Sequence, residues 1–257
     1  MKTIKLISWN VNGIRAAYKK GLIDWIGQEQ PDVLCLQETK AQVDQLPKAL
    51  LNVDGYECYF ESAERKGYSG VAIYTKISPE KIVNGFGKKK FDAEGRVIQA
   101  DYKKFSLFNV YFPNGKASKE RLEFKMDFYE AFLKHINKFK NGGTNVVVCG
   151  DVNTAHRAID LARPKDNETV SGFLPEERAW IDKLLDNGYL DTFRMFSEAP
   201  EKYTWWDMKS RARDRNVGWR IDYFYASEGM KKMIKSAGIL SDVMGSDHCP
   251  ISLELKV

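Results

Sequence analysis

Residues 146–153 read VVVCGDVN, an apolar run that stops abruptly at Gly150, Asp151 and Asn153. Val146 to Cys149 has the length and β-branched content of a buried strand. Asp151 and Asn153 then stand two residues apart, a spacing that points both side chains the same way in extended backbone. The pattern recurs three times. Leu6 to Trp9 runs into Asn10 and Asn12, Val33 to Leu36 into Gln37 and Glu38, and Phe105 to Val110 into Tyr111 and then Pro113-Asn114. A single end of this kind is a turn, because Asn, Asp and Gly are what turns after strands are made of. Four such ends, two of them carrying a carboxylate, predict strand termini that share one edge and pool their side chains in a pocket. Open α/β sheets bind their ligands at that edge, and the rule is applied here by analogy.

Around these ends the chain alternates strands with a few helices. Val71 to Tyr74 is a further buried strand, entered through KGYSG, and Val97–Ala100 with Phe105–Tyr111 form a hairpin around Lys103-Lys104. Leu22 to Ile26 lies in an amphipathic helix closed by Gly27 and Pro31. Lys119 to Phe139 is the clearest helix: Leu122, Met126, Tyr129, Phe132, Leu133 and Ile136 recur at three and four, and Gly142-Gly143 stops it. A second helix, near Glu176 to Asn187, is anchored by Trp180, Ile181, Leu184 and Leu185. The terminal ISLELKV alternates cleanly, which predicts a strand covered on one side. No Pro-, Gly- or Ser-rich linker divides the sequence, so residues 1–257 are expected to form one α/β domain. Too many strands separate the helices for strict βαβ repetition, which favours two packed sheets flanked by helices.

Composition sets limits. Forty basic against 35 acidic residues give a net charge of +5, which permits a polyanionic partner without demanding one. Cys35 and Cys149 sit inside apolar runs and no CxxC pair occurs, so buried free thiols are expected rather than disulfides. The start, MKTIKLISWN, lacks the apolar stretch of a signal peptide, and no run has the roughly 18 apolar residues of a membrane span. A reducing cytoplasm is the expected compartment.

The chemistry is read from the polar ends. A hard divalent cation takes oxygen ligands, and Mg²⁺ often uses only one or two carboxylates. Glu38 and Asp247 are candidates, whereas three histidines and scattered cysteines make no zinc cluster, so Mg²⁺ or Mn²⁺ is the expected metal. The tail GSDHCP (245–250) places Asp247 and His248 before the last strand; the pair is either a structural turn or an imidazole facing a phosphate and oriented by a carboxylate, for which Asp222 is the candidate. Ile221 should then face the other way. Neither GxSxG nor a P-loop is present, which points away from acyl transfer and ATP hydrolysis and towards water activated by Asp151. Between Asp207 and Arg220, five basic residues (Lys209, Arg211, Arg213, Arg215, Arg220) oppose Asp207 and Asp214, bracketed by Trp205, Trp206 and Trp219. The stretch is either a solvated loop pinned by core tryptophans or a surface where guanidinium groups hold phosphates and indoles pack against sugar or base.

The motifs SWNVNGIRA, LCLQETK, KGYSGVAIYTK, NVYFPNG, GDVNTAHRAIDL, SGFLPEERAW, NVGWRIDYF and GSDHCP, running from Lys5 to Leu255, resemble the exonuclease III / AP endonuclease family within the DNase I-like endonuclease/exonuclease/phosphatase fold. LQE, GDxN and SDHxP mark only the broad fold; NVGWRIDYF with YTWW is more specific. The resemblance implies a four-layer αββα sandwich and hydrolysis of the phosphodiester 5′ to an abasic site in double-stranded DNA by a monomer, leaving a 3′-hydroxyl, in a family that also includes 3′→5′ exonucleases, 3′-end trimming enzymes and members that incise beside altered bases. In the roles it implies, Glu38 is the principal metal carboxylate, and the metal region also draws on Asn12, Asp151, Asn153 and Asp247. Asp151 activates or orients water, Asn10, Asn153 and Tyr111 position phosphate and nucleophile, and His248, held by Asp222, lies beside the scissile phosphate. Asn114 is a further phosphate contact. Trp205, Trp219 and Ile221 wall a pocket for the flipped-out sugar. Arg15, Lys40, Tyr68 and Arg96 grip the backbone, Lys116 is a further DNA contact, and Lys125 and Lys209 bear on pocket shape and DNA contact. Two departures stand out: Asn12 replaces an Asp found in some relatives, and Ala117 stands where some insert an arginine. Two other readings are an inositol-phosphate or lipid phosphatase of the same fold and an inactive DNA-binding relative.

Overall fold

Two six-stranded sheets lie face to face, and helices cover their outer surfaces. The computed structural model describes residues 2–257. In chain order the strands are β1 (Thr3–Asn10), β2 (Val33–Gln37), β3 (Glu57–Glu61), β4 (Val71–Thr75), β5 (Lys81–Asn84), β6 (Val97–Tyr102), β7 (Phe105–Tyr111), β8 (Val146–Asp151), β9 (Tyr189–Asp191), β10 (Trp205–Trp206), β11 (Gly218–Trp219), β12 (Asp222–Ser227), β13 (Ile234–Ile239) and β14 (Ile251–Lys256). One sheet has the order β13-β14-β1-β2-β4-β3 and the other β5-β6-β7-β8-β12-β9; β10 and β11 form a separate ribbon.

Each sheet is antiparallel except at its centre. There β1 and β2 run parallel, ending with Asn10 opposite Gln37, and β7 and β8 run parallel, ending with Tyr111 opposite Asp151. β12 enters antiparallel with Asp222 opposite Asp151. The four strands with unusual polar ends are therefore the two central parallel pairs, and their carboxyl ends meet at one edge of the sandwich.

The alternation of side chains along these strands makes three apolar layers. Leu6, Val33, Cys35 and Ile73 from one sheet meet Ile98, Leu107, Val147 and Cys149 from the other in the central layer. Ile7, Leu34, Leu36 and Tyr74 face outward against Ile14, Leu22 and Ile26 of the helices Ile14–Lys19 and Leu22–Glu29. Phe108, Val110, Val146 and Val148 pack under Phe128, Phe132 and Ile136 of the helix Lys119–Asn141 and under Trp180 and Leu184 of the helix Pro175–Asp186. Because both faces of the central strands are covered, their sequences are continuous apolar runs. The terminal strand β14 alternates because only Ile251, Leu253 and Leu255 are buried.

The long helix starts at Ser118, whose Oγ accepts from Arg121 N at 3.3 Å, and ends at Gly142. Its buried face differs from the periodicity of its apolar residues: Leu122 and Met126 are half-buried, while Lys125 and Phe128 are fully covered. Strands β3, β5 and β13 add edges the sequence pattern did not mark; β3 and β5 are only half-buried, so their apolar signal is weak. All four cysteines are free, with Cys35, Cys149 and Cys249 buried. No described helix is long and apolar enough to cross a membrane.

Candidate active site

The strand ends converge on Asn10. Its Nδ2 donates to Glu38 Oε2 and to Asp151 Oδ2, each at 2.9 Å, so one amide ties together carboxylates from different sheets. Both adjoining turns are sharp. Asn12, Glu38, Lys40 and Asn153 all have left-handed backbone, with φ between 46° and 56°. Such conformations are uncommon for residues with a side chain and cluster where geometry is over-determined by its surroundings. Asn12 N bonds Asn10 Oδ1 at 2.9 Å and Asn153 N bonds Asp151 Oδ1 at 2.8 Å, the same self-bracing turn on both sheets.

On the β1–β2 side the groups are half-exposed. Asn12 Nδ2 donates to Asp247 Oδ1 at 2.9 Å, and Trp205 Nε1 to Asp247 Oδ2 at 3.0 Å. Burial works to raise the Asp247 pKa, but the neighbouring His248 charge and these two donors hold it below the usual range. Lys40 Nζ lies 2.9 Å from Glu38 Oε1 and donates to Asn12 Oδ1 at 2.5 Å.

Charge on the β7–β8 side is buried. His248 Nδ1 is 2.9 Å from Asp222 Oδ2, and its Nε2 is 3.9 Å from Asp151 Oδ2. Thr204 Oγ1 donates to Asp222 Oδ2 at 2.6 Å and accepts from the Ile221 and Asp222 amides. Burial raises the Asp151 pKa and outweighs the His248 charge that lowers it; with Asp222 adding to the rise, the group reaches about 7. For His248 burial acts downward, but Asp222 dominates and lifts it to about 10. Tyr111 is pushed well above its ordinary value by burial and then by Glu38 and Asp151, so it stays a neutral hydroxyl.

Asn12, Glu38, Lys40, Tyr111, Asp151, Asn153, Asp247 and His248 line one cavity of about 270 Å³, together with Asn114, Lys116, Ser171, Gly172, Trp205, Trp219 and Ile221, while Asn10 and Asp222 brace it from behind. Trp205 and Trp219 meet edge to face at 6.3 Å, and Lys116 Nζ sits 5.3 and 5.4 Å from their ring centres. Asn114 Nδ2 donates to Asn153 Oδ1 at 2.8 Å. Ile221 turns away from Asp222 into an apolar cluster with Ala155, Leu161 and Phe173.

The structure thus brings together Asn10, Asn12, Glu38, Lys40, Tyr111, Asn114, Lys116, Asp151, Asn153, Trp205, Trp219, Ile221, Asp222, Asp247 and His248. Arg15 lies next door, in a depression that shares Lys40 and includes Lys19. Lys209 is exposed on the loop after β10. Three expectations change. Arg96 does not grip from the surface: it is buried, donates to Glu94, to Tyr68 Oη and to the Tyr111 carbonyl, and lies 4.8 Å from the Tyr111 ring centre. Tyr68 is half-buried and also accepts from Arg121 at 3.1 Å, so its hydroxyl belongs to the same brace. Lys125 is fully buried and paired with Glu177, so it shapes the pocket from beneath and cannot touch DNA directly. Sequence reading missed Thr204, Glu177, Glu94 and Arg121. Only their partners in space reveal them.

Among the described residues one tight carboxylate–imidazole cluster is present, Asp151, Asp222 and His248, with ligand atoms within 4.8 Å of one another, which is compatible with use of a divalent metal. His248 and Asp222 are already bonded to each other, however. Glu38, Asn12, Asp247 and Asp151 also line the cavity with oxygen atoms, of the kind a hard divalent cation takes, and the Lys40 ammonium rests on Glu38 and Asn12.

A family model for the Endonuclease/Exonuclease/phosphatase family matches residues 7–248. The chain is 41% identical to the exodeoxyribonuclease of Bacillus subtilis over 99% of its own length and 100% of that protein's. It is 40% identical to the DNA repair nuclease APEX1 of Danio rerio, across 99% of this chain and 83% of the relative. The AP endonuclease LMAP of Leishmania major superposes with a TM-score of 0.91 at 30% identity, over 100% of this chain and 88% of that one. An AP endonuclease from Archaeoglobus fulgidus gives 0.88 at 28%, over 99% and 100%. With its central parallel pairs, its meeting of strand ends and this breadth of likeness, the chain belongs to the endonuclease/exonuclease/phosphatase family and has the exonuclease III / AP endonuclease-like, DNase I-like αββα fold.

Proposed function

We propose that this protein is a divalent-metal-dependent endonuclease that cuts double-stranded DNA on the 5′ side of an abasic site, leaving a 3′-hydroxyl. The observation that carries the reading is a single cavity with two halves: a carboxylate and imidazole cradle for a phosphate, and a tryptophan-lined wall capped by Lys116. The relatives named above, an exodeoxyribonuclease, a DNA repair nuclease and two AP endonucleases, support it.

The residues divide the work as follows. A sugar without its base has lost its stacking, so turning it outward costs less than for an intact nucleotide. Trp205, Trp219 and Ile221 receive it, and Lys116 attracts the adjoining phosphate. Asp151, accepting from Asn10 and Asn153, orients water for in-line attack and takes its proton. His248, kept cationic by Asp222, and the neutral Tyr111 hydroxyl donate hydrogen bonds to the phosphoryl oxygens as charge builds on them. Glu38, Asn12 and Asp247 would hold Mg²⁺ or Mn²⁺, which supplies Lewis-acid stabilisation of that charge when bound. No covalent intermediate with the protein is involved.

A substrate panel tests this: abasic, uracil-containing, nicked and 3′-blocked duplexes, with inositol phosphates and a lipid phosphate as the alternative, with and without Mg²⁺. Metal-dependent nicking confined to DNA, strongest at the abasic site, is expected. Turnover of the small phosphoesters with intact duplexes left uncut would overturn it.

A further inference from the structure

Beneath the pocket lies an ion pair that touches no candidate catalytic side chain. Lys125 and Glu177 are both fully buried. The ammonium donates to Glu177 Oε1 at 2.6 Å, to the Asn153 carbonyl at 2.8 Å and to Thr154 Oγ1 at 2.8 Å, which uses all three of its protons. Glu177 Oε1 also accepts from Ser171 Oγ at 2.9 Å. Its Oε2 accepts from the amides of Gly172 at 2.5 Å and Leu174 at 3.0 Å. The pair therefore clamps two turns at once. One carries Asn153, whose left-handed backbone sets its side chain beside Asp151. The other carries Ser171 and Gly172, which line the cavity. The Ala155 amide donates to the Gly172 carbonyl at 2.8 Å and zips the turns together.

Gly172 shows how tight that wall is. Its φ is +103°, and a Cβ there would meet the Trp219 ring at 3.2 Å and the Asn153 carbonyl at 3.3 Å. A few tenths of an ångström at Gly172 thus reach Trp219. A buried ion pair is weak as a stabiliser, because desolvation offsets most of its attraction. Burial lowers the Lys125 pKa, and Glu177 only partly restores it. What the pair does provide is fixed direction, since five hydrogen-bonding groups converge on it from two turns.

We propose that Lys125 and Glu177 are positioning residues that fix the width of the sugar pocket, and through it the preference for a nucleotide without a base. This rests on the abasic-site reading above. Without the clamp, the Ser171–Gly172 turn and Trp219 relax and the flipped sugar loses its fit. Release of an ordinary 3′-terminal nucleotide depends on the phosphate cradle rather than on that fit and is little affected.

The test is Glu177→Gln in the full chain. It keeps size but turns an NH₂ towards either the ammonium or two amide donors. Expected are a fall of at least tenfold in kcat/KM on an abasic duplex, mostly through KM, and a change of less than threefold in 3′-terminal nucleotide release. In protein labelled with 5-fluorotryptophan, the Trp219 resonance shifts while that of Trp25, on the far face, does not. Thr154→Val removes one partner of the ammonium and predicts the same pattern in smaller measure, should Glu177→Gln not fold. A folded variant with lower thermal stability but unchanged abasic kcat/KM, substrate preference and Trp219 resonance would overturn the proposal. If the parent protein does not cut abasic duplexes, the functional reading fails, and a Trp219 shift still reports whether the clamp sets the wall.

Discussion

The two sheets end in the same backbone device and use it differently. In each, a central parallel pair stops at an Asn or Asp whose side chain accepts from the amide two residues on, with a left-handed residue following. At the β1–β2 end the result is half-open, and Glu38 and Asp247 face the cavity beside the Lys40 ammonium. At the β7–β8 end, Asp151, Asp222 and His248 are each at most 4% exposed and perturb one another strongly. Similar turns thus give a half-open wall of carboxylates and a lysine on one side and a buried carboxylate–imidazole cluster on the other. At the second end Thr204 Oγ1 bonds Asp222 and Trp205 pairs with His248, while at the first the Trp205 indole reaches only Asp247 and Lys40 rests on Glu38.

That contrast can be broken most forcefully at the closed end. Asp151→Asn should cut the single-turnover incision rate by about 10³–10⁴-fold, since it removes the proton acceptor itself. Next is Glu38→Gln at the open end, expected to lower the rate by about 10²–10³-fold with most DNA affinity kept. Equal single-turnover rates for this variant and its parent would remove Glu38 from the mechanism.

The pH profile separates the ends more finely. With Asp151 raised to about 7, activity should climb as pH rises through that value, because the proton must leave before the group can accept another. The His248 pKa is raised to about 10, so the stability contributed by its ion pair with Asp222 is complete below the unfolded histidine pKa of about 6.5 and is lost as pH rises through about 10. Asp222 raises both groups. Asp222→Asn should therefore move the acid limb to lower pH, whereas Glu38→Gln should leave it within a few tenths of a unit.

A smaller effect is expected from Asn12→Asp, which gives the open end a further carboxylate. The Mg²⁺ concentration for half-maximal rate should fall a few-fold, as read by metal titration. Smallest in activity is Asn109→Ala. Its amide donates from the second sheet to the Leu36 and Ala72 carbonyls of the first, and its oxygen accepts from Gln37. Losing these buried bonds should cost about 1–3 kcal/mol in urea unfolding while the rate changes little.

Much of this was legible because the informative residues sit where strands stop. Continuous apolar runs marked the central strands, and the polar residues after them marked the edge where they meet. Burial decided what was not legible. Lys125 falls on a helix face whose apolar spacing suggested Leu122 and Met126 as core, and a lysine there reads as solvated until Glu177, 52 residues on, is seen beneath it. Arg96 likewise looks like a DNA contact in sequence, and only the Glu94–Tyr68 brace shows that it holds Tyr111. Spacing reveals which side chains share a strand face, but not which charges find partners across the fold.

The central claim is that the open and closed ends act on one phosphodiester as a unit. A double-mutant cycle on Glu38→Gln and Asp151→Asn, read as single-turnover incision of an abasic duplex, tests it most directly. The account predicts strong non-additivity, with the double variant within about threefold of the slower single variant. Rate losses that multiply, as for two independent sites, would contradict it.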